Sequence, residues 1–437
     1  MGQPGRQSCG RLCFVRQPYA LVGAHNEADL YYMKPARIRL ARSRPRTRGA
    51  RRCRRGCPII SMILTQCTAC AAPLGLASGK KCSRCSTRYC GPACQAQHWK
   101  EGGHDKLCKK IKRSGGAEQY HADKEYAESV VVAVKKCAVD TKDQTCYICT
   151  DALHWKTKEG LVRGCSCRGT AGFAHVSCLA EQAKILCAEA EENNLDLKMK
   201  NGRWARWYSC SLCEQAYHGT VKCALGWACW KMYLGRPETN QTRYLAMGVL
   251  GNGLAAAQRH VDALAVREAE LSMKRRIGAP ATSILKALSN LAGMYHALER
   301  KEDALRTIRD VYSGSLEIYG EDGHETIQSA NNYATSLLHL KQLEEAKSVL
   351  RKTIPVAQRV LGECHISTLT SRLQYARALY WTTGATLDGF REAVTMLEET
   401  ERTARRVLGH THPLSEVIEK SLGESRAVLS AAARRKT

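Results

Sequence analysis

The feature that most constrains this chain is the spacing of its cysteines. Between Cys67 and Cys213 they arrive in close pairs: Cys67 and Cys70, Cys82 and Cys85, Cys90 and Cys94, Cys146 and Cys149, Cys165 and Cys167, Cys210 and Cys213. His104 with Cys108 and His175 with Cys178 complete the series. Two thiolates with one to three residues between them fit a turn that brings both sulfurs to one metal at ~2.3 Å, so each pair is half of a tetrahedral zinc site. Sixteen ligands in eight pairs predict four zinc ions. Twenty-three cysteines in a secreted chain would instead suggest disulfides. Here no leader with an apolar core and a small-residue cleavage site is read, so a reducing compartment is expected, cytoplasm or nucleus.

At 437 residues, 44% hydrophobic and 25% charged, the composition is that of an ordinary globular protein with room for about three modules. The longest apolar runs, such as Val130 to Val134 and Leu254 to Ala257, fall far short of the ~18 residues of a membrane-spanning helix. The net charge of +26 is uneven. Residues 1–60 carry fourteen Lys/Arg against only Glu27 and Asp29, without hydrophobic periodicity, so residues 1–62 read as a disordered basic arm. Such an arm suits nucleic acid, an acidic membrane, an import receptor or an organelle-targeting role, and it is the one place where nucleic-acid binding is expected. The favoured reading is a solvated tail, or sequence upstream of an alternative start at Met62.

In the first cysteine cluster, one helical turn puts His104 and Cys108 on a common face. The string Tyr89-Cys90-Gly-Pro-Ala-Cys94-Gln95, followed by His98-Trp99 and His104-Asp-Lys-Leu-Cys108, closely resembles the MYND zinc finger, and residues 63–112 are assigned to it. The resemblance implies interleaved ligation: Cys67, Cys70, Cys90 and Cys94 on one zinc, and Cys82, Cys85, His104 and Cys108 on the other. His98 competes with His104, which alone has the three-residue spacing to Cys108. The segment Gly75-Leu-Ala-Ser-Gly79-Lys80-Lys81 is one residue short of a phosphate-binding loop and has Lys81 where Ser or Thr should hold magnesium, so it reads as a linker.

A helical linker over 113–141, with its helix from about Ala122 to Cys137, leads to the second cluster. Its order of seven Cys with one His in fifth place, and the stretch Cys167-Arg-Gly-Thr-Ala-Gly-Phe-Ala-His175-Val-Ser-Cys178-Leu179, resemble the RING-CH variant of the RING finger over 142–220. The implied cross-brace places Cys146, Cys149, His175 and Cys178 on one zinc, and Cys165, Cys167, Cys210 and Cys213 on the other. The 31 residues between Cys178 and Cys210 depart from the family, and Glu181 to Lys200 reads as a charged helical insertion. By the same resemblance, Ile148 with Trp207 or Leu212 forms an apolar patch that docks a ubiquitin-conjugating enzyme. The competing reading is that Ile148 packs beneath its zinc loop and Trp207 fills the small core.

From about Thr242 helical periodicity takes over. Gly278, Gly320, Gly362 and Gly409 recur at helix ends, Ala263, Ala304, Ala346 and Ala393 at helix crossings, and Ala292, Ala334 and Ala376 keep a 42-residue interval. Thr383 to Gly389 reads as an insertion that lengthens the last interval. Two helices per unit define a helical-hairpin solenoid. Ala287-Leu-Ser-Asn-Leu-Ala-Gly-Met-Tyr295 and Arg359-Val-Leu-Gly362-Glu-Cys-His365 resemble tetratricopeptide repeats of the kinesin light chain type over 242–430. Asn290, Asn332 and Gln374 fall on the first helices of the units. They are read either as hydrogen-bonding an extended peptide or as satisfying inter-helix backbone groups. Cys137, Cys187, Cys223, Cys229 and Cys364 read as small buried hydrophobes.

The fold class is therefore multidomain: two small zinc-stabilised cross-brace modules followed by an all-α helical-hairpin solenoid, with a basic N-terminus. Four thiolate or imidazole ligands leave zinc no open position, so metal hydrolysis is excluded and the zincs stabilise modules too small to fold on a core alone. No covalent catalytic residue is expected. The leading reading is an adaptor-like E3 ubiquitin ligase, with substrate on the repeats and MYND finger. The alternative is a zinc-finger and tetratricopeptide scaffold without activity. A MYND-containing methyltransferase is discounted because the chain has no room for its catalytic domain.

Overall fold

A computed structural model describes residues 67–434 except 71, 73, 75–78, 383 and 411. The basic arm, Met62 and most of the Gly75 to Lys81 loop lie outside the described residues, as does Thr383 at the start of the expected insertion. The chain divides into two compact units, one ending at Leu298 and the other beginning its described part at Glu299, so the boundary falls inside the repeat region.

In the first unit a two-residue hairpin pairs β1 (Lys80–Lys81) with β2 (Arg88–Tyr89). Two short helices follow, α1 (Pro92–Lys100), with proline in its first turn, and α2 (His104–Arg113). Then comes α3 (Ala117–Cys137), five residues longer at its start than the periodicity suggested. Gly116 at φ 105° makes the turn that admits this extra length.

Helix α3 belongs to three cores in succession. Ala117 and Tyr120 close the core of the first zinc module, where the Ala117 N–H donates to the Cys85 carbonyl at 3.0 Å. Ala122 and Tyr126 enter the core built by the later helices. Val130 and Ala133, with Val134 and Cys137, complete the core of the second zinc module.

The 31-residue gap before Cys210 contains two helices, α4 (Val176–Glu192) and α5 (Leu197–Trp204), then a 3-10 turn over Ala205–Trp207. The Asp196 carboxylate caps α5, accepting from the Met199 N–H at 2.8 Å. Next is α6 (Gly219–Tyr233), which the sequence reading left unassigned. It is apolar on nearly every side, with Leu225, Trp227 and Cys229 fully buried, as expected of a central helix. Helix α7 (Gln241–Ala256) crosses it at small residues. A Cβ on Gly253 would lie 2.7 Å from the Lys222 carbonyl oxygen, and one on Gly226 would lie 3.1 Å from Leu250 Cα. Helices α8 (His260–Arg276) and α9 (Ala281–Ala297) complete the unit.

A charged triad is buried among α7, α8 and α9. Glu270 accepts from Arg267 Nη1 at 2.7 Å and pairs with Lys274 Nζ at 2.8 Å, and none of the three side chains is more than 7% exposed. Arg267 also donates to Asn252, and Gly251 leaves the space its guanidinium fills. Burial opposes ionisation of Glu270, but Lys274 and then Arg267 hold its carboxyl below the ordinary value.

The second unit is a stack of hairpins: α10 (Lys301–Tyr319), α11 (His324–His339), α12 (Leu343–Leu361), α13 (Ile366–Trp381), α14 (Leu387–Leu408) and α15 (Pro413–Arg434). Ala304, Ala346 and Ala393 are wholly buried, as their spacing predicts for close helix crossings. Gly320, Gly362 and Gly409 cap their helices at φ 70° to 86°. Their ψ values are near 180° instead of the left-handed helical value, a region open essentially to glycine alone. The 42-residue repeat reappears as a repeat of bonds. Thr326 Oγ1 donates to the Ser315 carbonyl and Thr368 Oγ1 to that of Ala357. Arg309 Nε donates to the Tyr333 hydroxyl at 3.0 Å, and Arg351 Nε to that of Tyr375 at 2.9 Å.

Candidate metal centres

The sixteen Cys and His candidates gather into four quartets, in each of which all ligand atoms lie within 4.8 Å of one another. They are Cys67, Cys70, Cys90 and Cys94; Cys82, Cys85, His104 and Cys108; Cys146, Cys149, His175 and Cys178; and Cys165, Cys167, Cys210 and Cys213. All nineteen cysteines among the described residues are free thiols.

The distances fit tetrahedral zinc. With Zn–S of ~2.3 Å and Zn–N of ~2.0 Å, tetrahedral edges come to roughly 3.8 Å for S···S and 3.5 Å for S···N. Observed separations are 3.8 Å for Cys82 to Cys108 and for Cys167 to Cys210, 3.6 Å for Cys70 to Cys90, and 3.3 Å for Cys90 to Cys94. His104 directs Nε2 at Cys85 from 3.4 Å. His175 turns Nδ1 toward Cys149 at 3.3 Å and Cys178 at 3.6 Å, with its Nε2 3.4 Å from the Ala152 carbonyl. His98 lies outside the quartets, sharing a 2.9 Å hydrogen bond between its Nδ1 and the Tyr89 hydroxyl.

The electrostatics point the same way. As free thiols, Cys210 and Cys165 share a hydrogen bond that holds Cys210 down at about 4 and, with burial, drives Cys165 far above the thiol range. Burial works against Cys82, but His104 and backbone N–H donors bring it to about 6, while burial and neighbouring thiols push Cys108 up to about 12. Four thiol or imidazole groups so close together become fully deprotonated only around a cation. The residues therefore fit zinc, and when bound it supplies structural cross-links.

Local sequence explains the positioning. One turn of α2 carries both His104 and Cys108, and the start of α4 carries Cys178 next to His175. Gly172, at φ 85°, permits the Cys165 to Cys167 loop to close: a Cβ there would lie 2.6 Å from Cys167 Cβ and 2.9 Å from its sulfur. The long gap before Cys210 does not open the last quartet, because α4, α5 and the 3-10 turn pack into the core around α6 and return the chain.

The remaining candidates divide. Ile148 and Leu212 are exposed, at 37% and 52%. Trp207 is wholly buried, its ring 6.0 Å from that of Tyr233, so it belongs to the core and to no docking surface. Gln374 is buried in α13 and donates from Nε2 to Thr335 Oγ1 at 2.6 Å, a bond between helices made to a side-chain hydroxyl and not to a backbone group. Asn290 and Asn332 are half-buried. The sequence reading missed Asn331, which is buried, donates to the Ser367 carbonyl at 3.0 Å and accepts from Ser371 Oγ at 2.7 Å. Cys187, Cys223 and Cys229 are buried as expected, whereas Cys137 and Cys364 are half-buried.

Comparison with known proteins agrees with these modules. Residues 65–108 match the MYND finger family, 146–200 the RING-variant domain and 326–367 a tetratricopeptide repeat. Clustered mitochondria protein homologs of Aspergillus fumigatus and Aspergillus niger are 29% and 28% identical over 113 residues. That match covers 26% of this chain and 9% of theirs. Among solved structures, kinesin-light-chain TPR-like repeats of Podosopora anserina align over 54% of this chain and 98% of that one, at 15% identity and a TM-score of 0.37. BtubC from P. vanneervenii aligns over 59% of this chain and 90% of that one, at 12% identity and a TM-score of 0.34. Zinc-finger modules joined to tetratricopeptide repeats are the parts of a protein-interaction scaffold, and no helix among the described residues is long and apolar enough to cross a membrane.

Proposed function

We propose that this chain is an adaptor-like E3 ubiquitin ligase. The RING-variant module recruits a charged ubiquitin-conjugating enzyme, and the repeats and MYND finger hold the protein to be modified. The observation that carries the reading is the pairing of the first and last zinc loops. The Tyr147 and Ser211 hydroxyls share a 3.1 Å hydrogen bond, and the next residue of each loop, Ile148 or Leu212, is an exposed apolar side chain. Neighbouring exposed apolar side chains on rigid loops suit a partner's apolar loop. Trp155, 67% exposed in the same module, adds apolar surface.

The chemistry is transfer by positioning. A substrate lysine amine attacks the thioester carbonyl of the docked enzyme, an isopeptide bond forms, and that enzyme's cysteine thiol leaves. This chain contributes proximity and orientation and no covalent residue. The test is ubiquitin discharge from a panel of charged conjugating enzymes by the zinc-loaded chain. Discharge is expected with at least one, falling tenfold or more with Ile148→Ala or Leu212→Ala at an unchanged count of four zincs. No discharge across the panel leaves the second reading, a scaffold without activity. One observation favours that second reading: the RING-variant match ends at residue 200, short of Cys210 and Cys213.

A further inference from the structure

The first zinc module carries a charged surface that its metal centres do not use. Residues 80–113 contain ten Lys/Arg against Glu101 and Asp105. Half of those cations lie on α2, a helix of only ten residues. At 100° per residue, His104, Cys108 and Ile111 share the buried face of α2, two of them as zinc-quartet members. Lys106, Lys109, Lys110 and Arg113 fall on the opposite side, all exposed, at the i, i+3, i+4, i+7 spacing of a single stripe about 10 Å long.

These cations differ from several arginines of the later helices. Exposed Arg276, Arg300 and Arg405, for example, are held by Glu238, Asp303 and Glu419. Among the described residues no carboxylate pairs with any cation of the α2 stripe; Lys110 is instead 5.8 Å from the centroid of the Tyr120 ring. Four like charges on one rigid face, without carboxylate partners, repel one another and favour an external polyanion.

We infer that this face of α2 binds the phosphate backbone of a single-stranded nucleic acid, independently of base sequence. Three observations select that partner. The apolar face of α2 is buried against the zinc quartet, so the helix cannot insert into a membrane. Lysines predominate, and as point charges they tolerate the variable geometry of a phosphate backbone. Further exposed cations, Lys112 beside the stripe and Lys100 at the end of α1, extend the cationic surface beyond those four positions. A flexible single strand can adjust its phosphates to cations on two helices, which a duplex with a persistence length of ~150 base pairs does less readily. The folded module is thus a second basic element, separate from the N-terminal arm to which the sequence alone assigned such binding.

The test is fluorescence anisotropy of a labelled 20-nucleotide oligouridylate with the full zinc-loaded chain between 50 and 200 mM NaCl. Four contacts at ~0.7 per phosphate contribute about −2.8 to the slope of log affinity against log salt. Lys106→Glu, Lys109→Glu, Lys110→Glu and Arg113→Glu together should weaken binding at least tenfold at 100 mM and flatten the slope by two to three. The three Lys→Arg exchanges should leave both unchanged. If the glutamate variant loses zinc, glutamine at the same four positions gives the same reading without charge reversal. Binding within twofold of the parent by a variant that keeps four zincs would overturn the inference. So would tighter binding, at equal charge concentration, to polyglutamate, to phosphatidylserine vesicles or to a 20-base-pair duplex.

Discussion

Replacing Glu270 by glutamine tests the reasoning about the buried triad most sharply. The side chain keeps its shape and loses its charge, leaving Arg267 and Lys274 buried at 3% and 7% exposure without their shared counter-ion. Removing one member of such a group costs about 3–5 kcal/mol, because the remaining charges stay desolvated. At about 2–4 °C per kcal/mol for a unit of this size, the melting temperature should fall by roughly 6–20 °C. Replacing all three residues, Arg267→Met, Glu270→Leu and Lys274→Met, removes the stranded charges along with their partner, and should be neutral or stabilising by about 1–4 kcal/mol. The assay is calorimetry in the presence of zinc, comparing both variants with the parent. The pH dependence has a fixed sign. The folded carboxyl titrates below its ordinary 4.5, so its contribution is complete above 4.5 and is lost as pH falls through the folded value. The gap between parent and Glu270→Gln should therefore close on acidification. A fall of less than 2 °C for the single variant, or an equal fall for the triple, refutes the argument.

Three further outcomes are expected. A chelator should empty the Cys67, Cys70, Cys90 and Cys94 quartet first, because it alone has two exposed members, Cys70 and Cys90; alkylation read by mass spectrometry should reach those two before Cys146 and Cys178. Gly253→Ala should destabilise by about 1–3 kcal/mol, since its Cβ would press on the backbone of Lys222. Gly423→Ala, with nothing within 4 Å of the new carbon, should be neutral or stabilising by up to about 1 kcal/mol in the same thermal assay. Asn331→Leu should cost about 1–3 kcal/mol by removing two buried hydrogen bonds, the Ser371 hydroxyl keeping its 2.9 Å bond to the Ser367 carbonyl, and Asn332→Leu clearly less.

The zinc quartets were legible because metal geometry writes itself into spacing: two ligands must share one turn, and Cys165-Ser-Cys167 or His104 to Cys108 leaves little else to build. The solenoid was legible for a similar reason, since Ala304, Ala346 and Ala393 recur where helices must touch. What stayed hidden depends on contacts between distant segments. Trp207 reads from its place near Cys210 either as a docking residue or as filler of the small zinc-module core, and it is the core around α6 that claims it. Helix α6 escaped notice because a segment buried on all sides has no amphipathic period to detect. Asn332 was singled out for its 42-residue interval, yet the buried bonds are made by its neighbour Asn331, whose partners on α13 no local pattern reveals. The α2 stripe was readable in principle at positions 106, 109, 110 and 113, but it needed the buried face fixed first.

Helix α3 meets the first zinc module through Ala117 and the second through Val130 and Ala133. One residue added between those points would rotate everything beyond it by about 100° and advance it by about 1.5 Å. One of the two seats would then have to break, and an insertion of about one whole turn would restore the facing while still moving the seats about 5.4 Å further apart along the axis. The length of this helix acts as a gear tooth count, fixing in multiples of 3.6 residues how the ligand-binding ends of two metal modules are phased.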